Sequence, residues 1–248
     1  SEAKKFDLII IDYPWFSWYF IILKIFGIQF EIREHNIEYL RFKSYNTWFW
    51  PIIFIYEFIS YFFAHKIRFI SEEDKKIAKK RFCLKEKKCI IEPFEADKSR
   101  FFPTKKHRNR IRKSLELKDE EKFIIFFGKL DYKPNLEAIQ TIKNDIIPTL
   151  DKNKLNYKIV ICGKNPPSIY DRNIIYTGFV DKIEEYIQSA DLMINPINSG
   201  GGVKTKVLEA LECNIPVVST NIGGIGIYND KMYIVENIGE EIIRWTKK

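Results

Sequence analysis

The chain has 248 residues, of which 46% are hydrophobic and 30% are charged, and its formal net charge is +8 at pH 7. This composition is typical of globular proteins and argues against intrinsic disorder, and the length fits one large domain or two smaller ones. The basic balance favours an anionic partner, such as a phosphorylated ligand, a membrane face or nucleic acid.

The first part of the chain alternates apolar runs of strand length with helical patterns. Ser71 is predicted to cap one helix, with Asp74 at the third position of a capping box variant. Strands are predicted at 7–11, 29–33, 67–70 and 88–91, and helices at 15–26, at 48–64 and after Ser71.

A polar and strongly basic segment, residues 95–121, follows and is predicted to be a connector with one helix. After it the alternation of strands and helices begins again. Strands are predicted at 123–127, 157–162, 174–177, 191–195, 215–219 and 232–235, and helices at 135–147, 181–189, 203–213 and 239–246.

This order of elements predicts an α/β protein with right-handed βαβ units and mostly parallel sheets. We expect two Rossmann-like lobes with a cleft between them. The predicted N-terminal lobe is residues 1–95, the basic connector is 96–121, and the C-terminal lobe is 122–248. In open parallel sheets, ligands bind at the carboxyl ends of the strands.

A glycine-rich run at such a strand end, NSGGGVKTKVLEAL, leads directly into a helix. Gly200, Gly201 and Gly202 let backbone N–H groups approach a ligand closely. Lys204 and Lys206 fall in the first helical turn, where the helix dipole disfavours cations by about 0.3–1 kcal/mol each. A bound phosphate would reverse that sign, so the run predicts a phosphate site; a flexible turn with solvated lysines is the alternative.

Other nucleotide motifs fit less well. A Walker A loop would need glycine where Val203 and Asn198 stand, and the later run Gly223-Gly224-Ile225-Gly226 opens no clear helix. Glu209 lies one and a half turns into the helix after the triple glycine, where its carboxylate could accept hydrogen bonds from two ribose hydroxyls. A surface glutamate without a ligand is the alternative there.

These residues resemble a known family. PINSGGGVKTKVLEALECNIPVVST (196–220), followed by NIGGIG, resembles the donor-site region of retaining GT-B glycosyltransferases, specifically glycosyltransferase family 4. FFGKLDYKPNLEAI (126–139) is similar to the start of that family's C-terminal lobe. EIREHNIEYLR (31–41) and FISEEDKKIAKK (69–80) are similar to its acceptor-side segments. The resemblance spans roughly residues 7–230.

The resemblance implies an enzyme that moves a sugar from a nucleotide-sugar donor, such as a UDP- or GDP-sugar, to an acceptor with retention. It implies no metal and no further cofactor, because lysines and helix N-termini stabilise the departing diphosphate. By position, Gly200, Gly201, Gly202 and Lys206 would hold the diphosphate with Gly128 and Lys129 beside them, Glu209 would hold the ribose, and the catalytic-side His35 would face the donor sugar.

The sequence also departs from the family pattern. Gly201 stands where many relatives have a second glutamate, and Ile225 stands where an acidic residue is common. The N-terminal lobe is expected to be incomplete, because its opening strand and glycine-rich loop would precede residue 1. A non-catalytic or partner-completed nucleotide-sugar-binding half therefore stays open, as does a nucleotide-sugar epimerase of the same fold.

The aromatic runs 14–30 and 48–63 have two interpretations. Both could be buried core helices, or they could touch a bilayer together with the basic connector, which would suit a lipid-linked rather than a free glycan acceptor. Glu57 and the short length argue against a spanning helix. The sequence argues against nucleic acid as a partner, because no groove-reading or base-stacking motif is present.

The cysteines and histidines bear on compartment and metal binding. None of the four cysteines forms a C-x-x-C pair, which predicts reduced thiols in a cytoplasmic protein that could work at the inner face of the cell membrane. The three histidines are far apart and lack metal-ligand spacing, which predicts no metal site.

Overall fold

A computed structural model of the chain describes residues 8–14 and 19–247. The described residues up to Phe94, together with Ser199–Val203, form one compact unit. Glu95–Asn198 and the residues from Lys204 onwards form a second unit. Each unit is built on its own parallel β-sheet with helices, so the predicted α/β class is confirmed.

The first unit contains a four-stranded sheet in the order β1-β2-β3-β4, in which all the neighbouring pairs are parallel. Residue 7 of the predicted first strand and residues 15–18 of the predicted first helix lie outside the described residues. The elements are β1 (Ile9–Asp12), α1 (Tyr19–Ile25), β2 (Phe30–Glu34), α2 (Glu38–Ser44), α3 (Trp50–Phe63), β3 (Lys66–Phe69), α4 (Glu72–Phe82) and β4 (Cys89–Ile91).

The predicted cap of α4 is confirmed. The backbone N–H of Asp74 donates a hydrogen bond to the Ser71 hydroxyl oxygen at 3.1 Å. Acidic residues fill the first turn of α4 and basic residues its last turn, which matches the helix dipole at both ends.

Helix α2 was not predicted, and its N-terminal cap comes from another helix. The carboxylate of Glu57 on α3 accepts hydrogen bonds from the backbone N–H groups of Glu38 at 2.6 Å and Tyr39 at 3.1 Å. The residue at the N-cap position, Ile37, has no side-chain oxygen that could do this. No local pattern in the sequence marks a helix that is capped from 19 positions away.

The second unit contains a six-stranded parallel sheet in the order β10-β9-β8-β5-β6-β7. Its apolar strands are buried on both faces, as expected for a parallel sheet covered by helices. The strands are β5 (Lys122–Phe127), β6 (Tyr157–Cys162), β7 (Ile174–Gly178), β8 (Leu192–Asn195), β9 (Val217–Ser219) and β10 (Met232–Ile234); the helices are α5 (Arg108–Ser114), α6 (Lys133–Thr141), α7 (Ile147–Lys152), α8 (Ile183–Ser189), α9 (Thr205–Glu212) and α10 (Ile238–Thr246).

The helix predicted at 135–147 is longer than expected. Helix α6 continues through a π-helical segment, Ile142–Ile146, into α7, which ends at Lys152. Pro148 in α7 has no N–H to donate, and the wider π-helical turn before it lets the helix continue past the proline. The proline therefore coincides with a change of helix type rather than with a helix end.

The basic segment after Phe94 packs on the second unit. Arg108 donates hydrogen bonds to the Ser189 carbonyl oxygen at 2.7 Å and to the Asp191 carboxylate at 2.6 Å. Arg110 pairs with Glu185 on α8. Arginines of the connector are therefore neutralised by carboxylates of their own unit, which reduces the charge available to an outside partner.

Within the described ranges, no helix is both long enough and apolar enough to cross a membrane.

Candidate functional site

A pocket of about 480 Å³ opens in the second unit at the carboxyl ends of β5 and β6. Gly128 and Lys129, which follow β5, and Glu209 of α9 all line it. Three of the residues predicted to bind the donor are therefore brought together, as the rule for parallel strand ends implies. The remaining lining residues are Phe127, Cys162, Gly163, Lys164, Asn165, Phe179, Val180 and Ile183.

Lys206 lies next to this pocket. Its ammonium donates hydrogen bonds to the backbone oxygen of Phe127 at 3.3 Å and to Oδ1 of Asn135 at 3.1 Å. The same nitrogen lies 4.2 Å from the centroid of the Phe126 ring, a cation–π distance. Lys206 therefore holds the start of α9 against the end of β5.

No carboxylate among the described residues pairs with the Lys206 ammonium. Burial, and then the neighbouring Lys204, lower the pKa of Lys206 to about 7. Helix α9 begins at Thr205 with no acidic residue in its first turn, so the helix dipole also disfavours a proton here. An anion at this helix start would offset the repulsion from Lys204 and from the helix dipole, and would favour the charged form of Lys206.

Glu209 is half-buried, and charged groups of both signs lie near it. Burial raises the pKa of Glu209, while the positive charge of Arg100 lowers it and Glu184 raises it. Arg100 is itself paired with Glu184 at 2.9 Å. Arg100 was not predicted as a site residue, because it lies in the basic connector, 84 positions before its partner.

The triple glycine is placed with the first unit rather than in the pocket lining. Gly202 has a φ of +68°, and a Cβ there would lie 1.9 Å from Oδ1 of Asn36 and 2.8 Å from the His35 carbonyl oxygen. Only glycine fits this contact. Gly200 and Gly201 belong to the same segment, so the structure groups the three glycines with His35, and it groups Gly128, Lys129 and Glu209 around the pocket.

His35 lies at the carboxyl end of the first sheet, just after β2. Its Nε2 is 3.3 Å from Oδ1 of Asp12, and its ring centroid is 4.5 Å from that of Tyr13. Arg33 also contacts Asp12, at 3.5 Å. Asp12 and Tyr13 were not predicted as site residues, although they directly end the first apolar strand, where the strand-end rule could have indicated them.

Among the residues that the structure describes, no three His, Cys, Asp or Glu side chains are grouped so that they could hold a metal ion. Independence from a metal stays a prediction.

The fold is shared with solved glycosyltransferase structures of the GT-B class. Sucrose-phosphate synthase from Thermosynechococcus elongatus has a TM-score of 0.76 at 15% identity, covering 100% of this chain and 66% of that one. HepE from Anabaena, crystallised with UDP, has a TM-score of 0.80 at 12% identity, covering 99% and 70%. The chain therefore has the two-sheet α/β architecture of GT-B proteins.

Sequence comparison adds a family match within the second unit. Residues 121–242 match the model of the family described as glycosyl transferases group 1. An uncharacterized 44.6 kDa protein in the cps region of Klebsiella pneumoniae is 24% identical over 98% of this chain and 66% of its own length. The putative teichuronic acid biosynthesis glycosyltransferase TuaC of Bacillus subtilis is 28% identical over 54% of this chain. The chain spans 66% of the first relative and 33% of the second.

Proposed function

We propose that this chain acts as a glycosyltransferase that moves a sugar from a nucleoside-diphosphate sugar, such as a UDP- or GDP-sugar, to a glycan or lipid-linked acceptor, with retention and without a metal. One observation carries the proposal: Gly128, Lys129 and Glu209 line one pocket at the carboxyl end of a parallel sheet, with the Lys206 ammonium next to it.

The pocket offers what a nucleoside diphosphate requires. The Glu209 carboxylate can accept hydrogen bonds from two ribose hydroxyls. Lys129 and Lys206 can contact the diphosphate, whose negative charge grows as the bond to the sugar breaks. The start of α9 adds oriented backbone N–H groups to the same end of the pocket.

On the first unit, His35 is the proposed partner of the donor sugar. The hydrogen bond to Asp12 orients the imidazole ring and fixes which nitrogen remains for a sugar hydroxyl. We propose that Asp12 is a positioning residue for His35, because its carboxylate contacts the imidazole ring.

The relatives support the class of substrate. HepE has been solved with UDP, with UDP and glucose, and with UDP-glucose. TuaC is described as a putative glycosyltransferase of teichuronic acid biosynthesis, which favours a glycan as the acceptor of this chain.

The first test is nucleotide binding. The melting temperature is measured with UDP, GDP, ADP and UDP-glucose, and nucleotides of one base should raise it. A ligand at about 100 times its Kd adds about 2.7 kcal/mol to the free energy of unfolding. Lys206→Met should remove the shift, and Lys152→Met, at an exposed lysine of α7, should keep it. No shift with any nucleotide would overturn the proposed donor site.

The second test is transfer itself. NMR of the product should show that the transferred sugar keeps the anomeric configuration it had in the donor. Transfer should also persist in EDTA. His35→Gln should slow transfer and leave nucleotide binding unchanged. Nucleotide binding without transfer would favour the non-catalytic half, and conversion of the donor to its epimer would favour the epimerase.

A further inference from the structure

Helix α3 presents an apolar stripe to the solvent. Ile52, Ile55, Ile59 and Phe62 are all exposed, with Phe62 at 70%, and their spacing of three and four residues places them on one helix face. Glu57, the one charged residue of α3, points the other way and is fully buried against α2. The exposed face of this helix is therefore uncharged.

The neighbouring helix extends this stripe. Ile22 of α1 and, at its end, Ile25 and Phe26 are exposed, with Ile25 at 74%. The Lys24 ammonium lies 5.9 Å from the Phe63 ring centroid, which places the end of α1 beside the end of α3. Contiguous apolar surface of this kind is rare on a monomer unless something covers it.

A basic pocket of about 800 Å³ adjoins the stripe. Phe58 and Phe62 of α3 form part of its wall, and no Asp or Glu is among the described residues that line it. The nearby Glu86 is paired with Lys75 and Lys79. The cationic lining residues are Lys24, Lys66, Lys85, Lys87 and Lys88.

This pocket is separate from the candidate site. It lies at the amino ends of β2, β3 and β4, where Phe30, Lys66 and Cys89 begin their strands. Asp12 and His35 lie at the opposite, carboxyl edge of the same parallel sheet. The lysines are therefore not part of the groups that we assign to the donor sugar.

We propose that this surface, the exposed apolar residues of α1 and α3 together with the lysine pocket, is a docking face for an anionic lipid bilayer. The apolar side chains would enter the boundary between headgroups and acyl chains, and the lysines would contact lipid phosphates. A second copy of the chain fits less well, because a symmetric contact would bring the same lysines face to face. The inference does not depend on the proposed transfer reaction.

The test is flotation with vesicles of phosphatidylcholine alone or mixed equally with phosphatidylglycerol. The chain should bind the anionic vesicles, and binding should weaken in high salt. Lys85→Gln with Lys87→Gln should lower binding about 5-fold per lysine. Ile55→Ser with Phe62→Ser should lower it about 10-fold or more, since each removes buried apolar area.

Matched controls distinguish docking through this surface from membrane attraction by any exposed lysine or aromatic ring. Lys152→Gln with Lys154→Gln and Tyr170→Ser, all at exposed positions of the second unit, should bind as the wild type does. Thermal unfolding without vesicles should confirm that the docking-face variants fold. No binding, equal binding to both vesicle types, or a dimer in sedimentation that only the apolar variant abolishes would each overturn the proposal.

Discussion

The Lys206 ammonium donates a hydrogen bond of 3.1 Å to Oδ1 of Asn135. The amide nitrogen of Asn135 donates in turn to the Lys129 carbonyl oxygen at 2.8 Å. This chain of contacts ties the start of α9 to the segment after β5 that lines the pocket. In the part of the chain that the structure describes, Lys206 contacts neutral acceptors and an aromatic ring, and a buried ammonium without an anionic partner lowers the stability of the folded chain.

Replacing Lys206 by methionine should therefore stabilise the ligand-free chain at neutral pH. The folded pKa is lowered from 10.5 to about 7, so between these values the unfolded chain binds more protons than the folded chain. The free energy of unfolding of the wild type should then rise with pH across this window. In Lys206→Met this rise should be smaller. The free energy of unfolding of the variant, measured by urea denaturation, should therefore exceed that of the wild type at pH 7 and approach it toward pH 10.

Lys152→Met serves as the control, because Lys152 is an exposed lysine of the same unit. The lowered pKa of Lys206 also predicts an effect on ligand binding. A bound diphosphate favours charged Lys206, so titration with UDP near pH 8 should take up protons, seen as a heat that depends on the buffer. Parallel pH profiles, or heats equal in all buffers, would contradict this account of Lys206.

Glu209→Gln should weaken nucleotide binding through the ribose. A hydrogen bond to a charged group contributes about 1.5–3 kcal/mol, so the Kd should rise roughly 10- to 100-fold. Calorimetry with UDP and with 2′-deoxy-UDP checks the assignment, since the substitution should matter less when a hydroxyl is missing.

Glu212→Gln, one turn further along α9, is the matched control and should bind both nucleotides as the wild type does. Equal losses for UDP and 2′-deoxy-UDP in Glu209→Gln would show that Glu209 acts on the pocket without contacting the 2′-hydroxyl.

Part of the site could be predicted from the sequence because it follows from local rules. Gly128 and Lys129 directly follow a strand, and Glu209 lies in a helix that begins at the same sheet edge, so the strand-end rule brings them together. Asn135 and Arg100 could not be predicted in this way. Their contacts join residues 71 and 84 positions apart, and such distances are set by the packing of the whole unit.

The predicted elements agree with the structure where an apolar pattern or a local cap determines the element. Strand β6 has its predicted bounds, and the Ser71 cap is present. Helix α2 was missed because Glu57, in another helix, satisfies its first N–H groups. The π-helical segment was missed because Pro148 alone does not show whether a helix ends or changes its hydrogen-bond pattern.

Gly163→Ala should destabilise the second unit strongly. A Cβ at this position would lie 1.9 Å from the Gly128 carbonyl oxygen and 2.8 Å from Cγ of Leu130. Such overlap costs about 1–3 kcal/mol in a packed region, in addition to the strain of a positive φ.

Gly178→Ala shows the effect of a positive φ without a close contact, since Gly178 has a φ of +69° and no atom within 4 Å of the added Cβ. Urea denaturation should show a clearly larger loss for Gly163→Ala. Equal losses in the two variants would mean that the ends of β5 and β6 can separate to admit the methyl group.

Glu57→Gln should change how the stability of the first unit depends on pH. Burial raises the pKa of Glu57 to about 8, although the backbone N–H groups of Tyr39 and Glu38 oppose the shift. Between its ordinary value of 4.5 and about 8, the folded chain holds more protons than the unfolded chain, so this group's contribution is lost as pH rises. The variant should therefore gain stability relative to the wild type as pH rises through this window.

The difference between variant and wild type reports on Glu57 and on its coupling to Glu34, because the charge of Glu57 is one cause of the raised pKa of Glu34, whereas the pKa of Glu38 is raised by burial. Thermal unfolding from pH 5 to pH 9, with Glu72→Gln at an exposed position of α4 as the control, measures this difference. Near pH 5 the carboxyl is protonated in the folded chain, so the two proteins should be most alike there. A constant difference across the range would mean that Glu57 caps α2 without titrating, and the pH dependence would then have to come from Glu34 and Glu38.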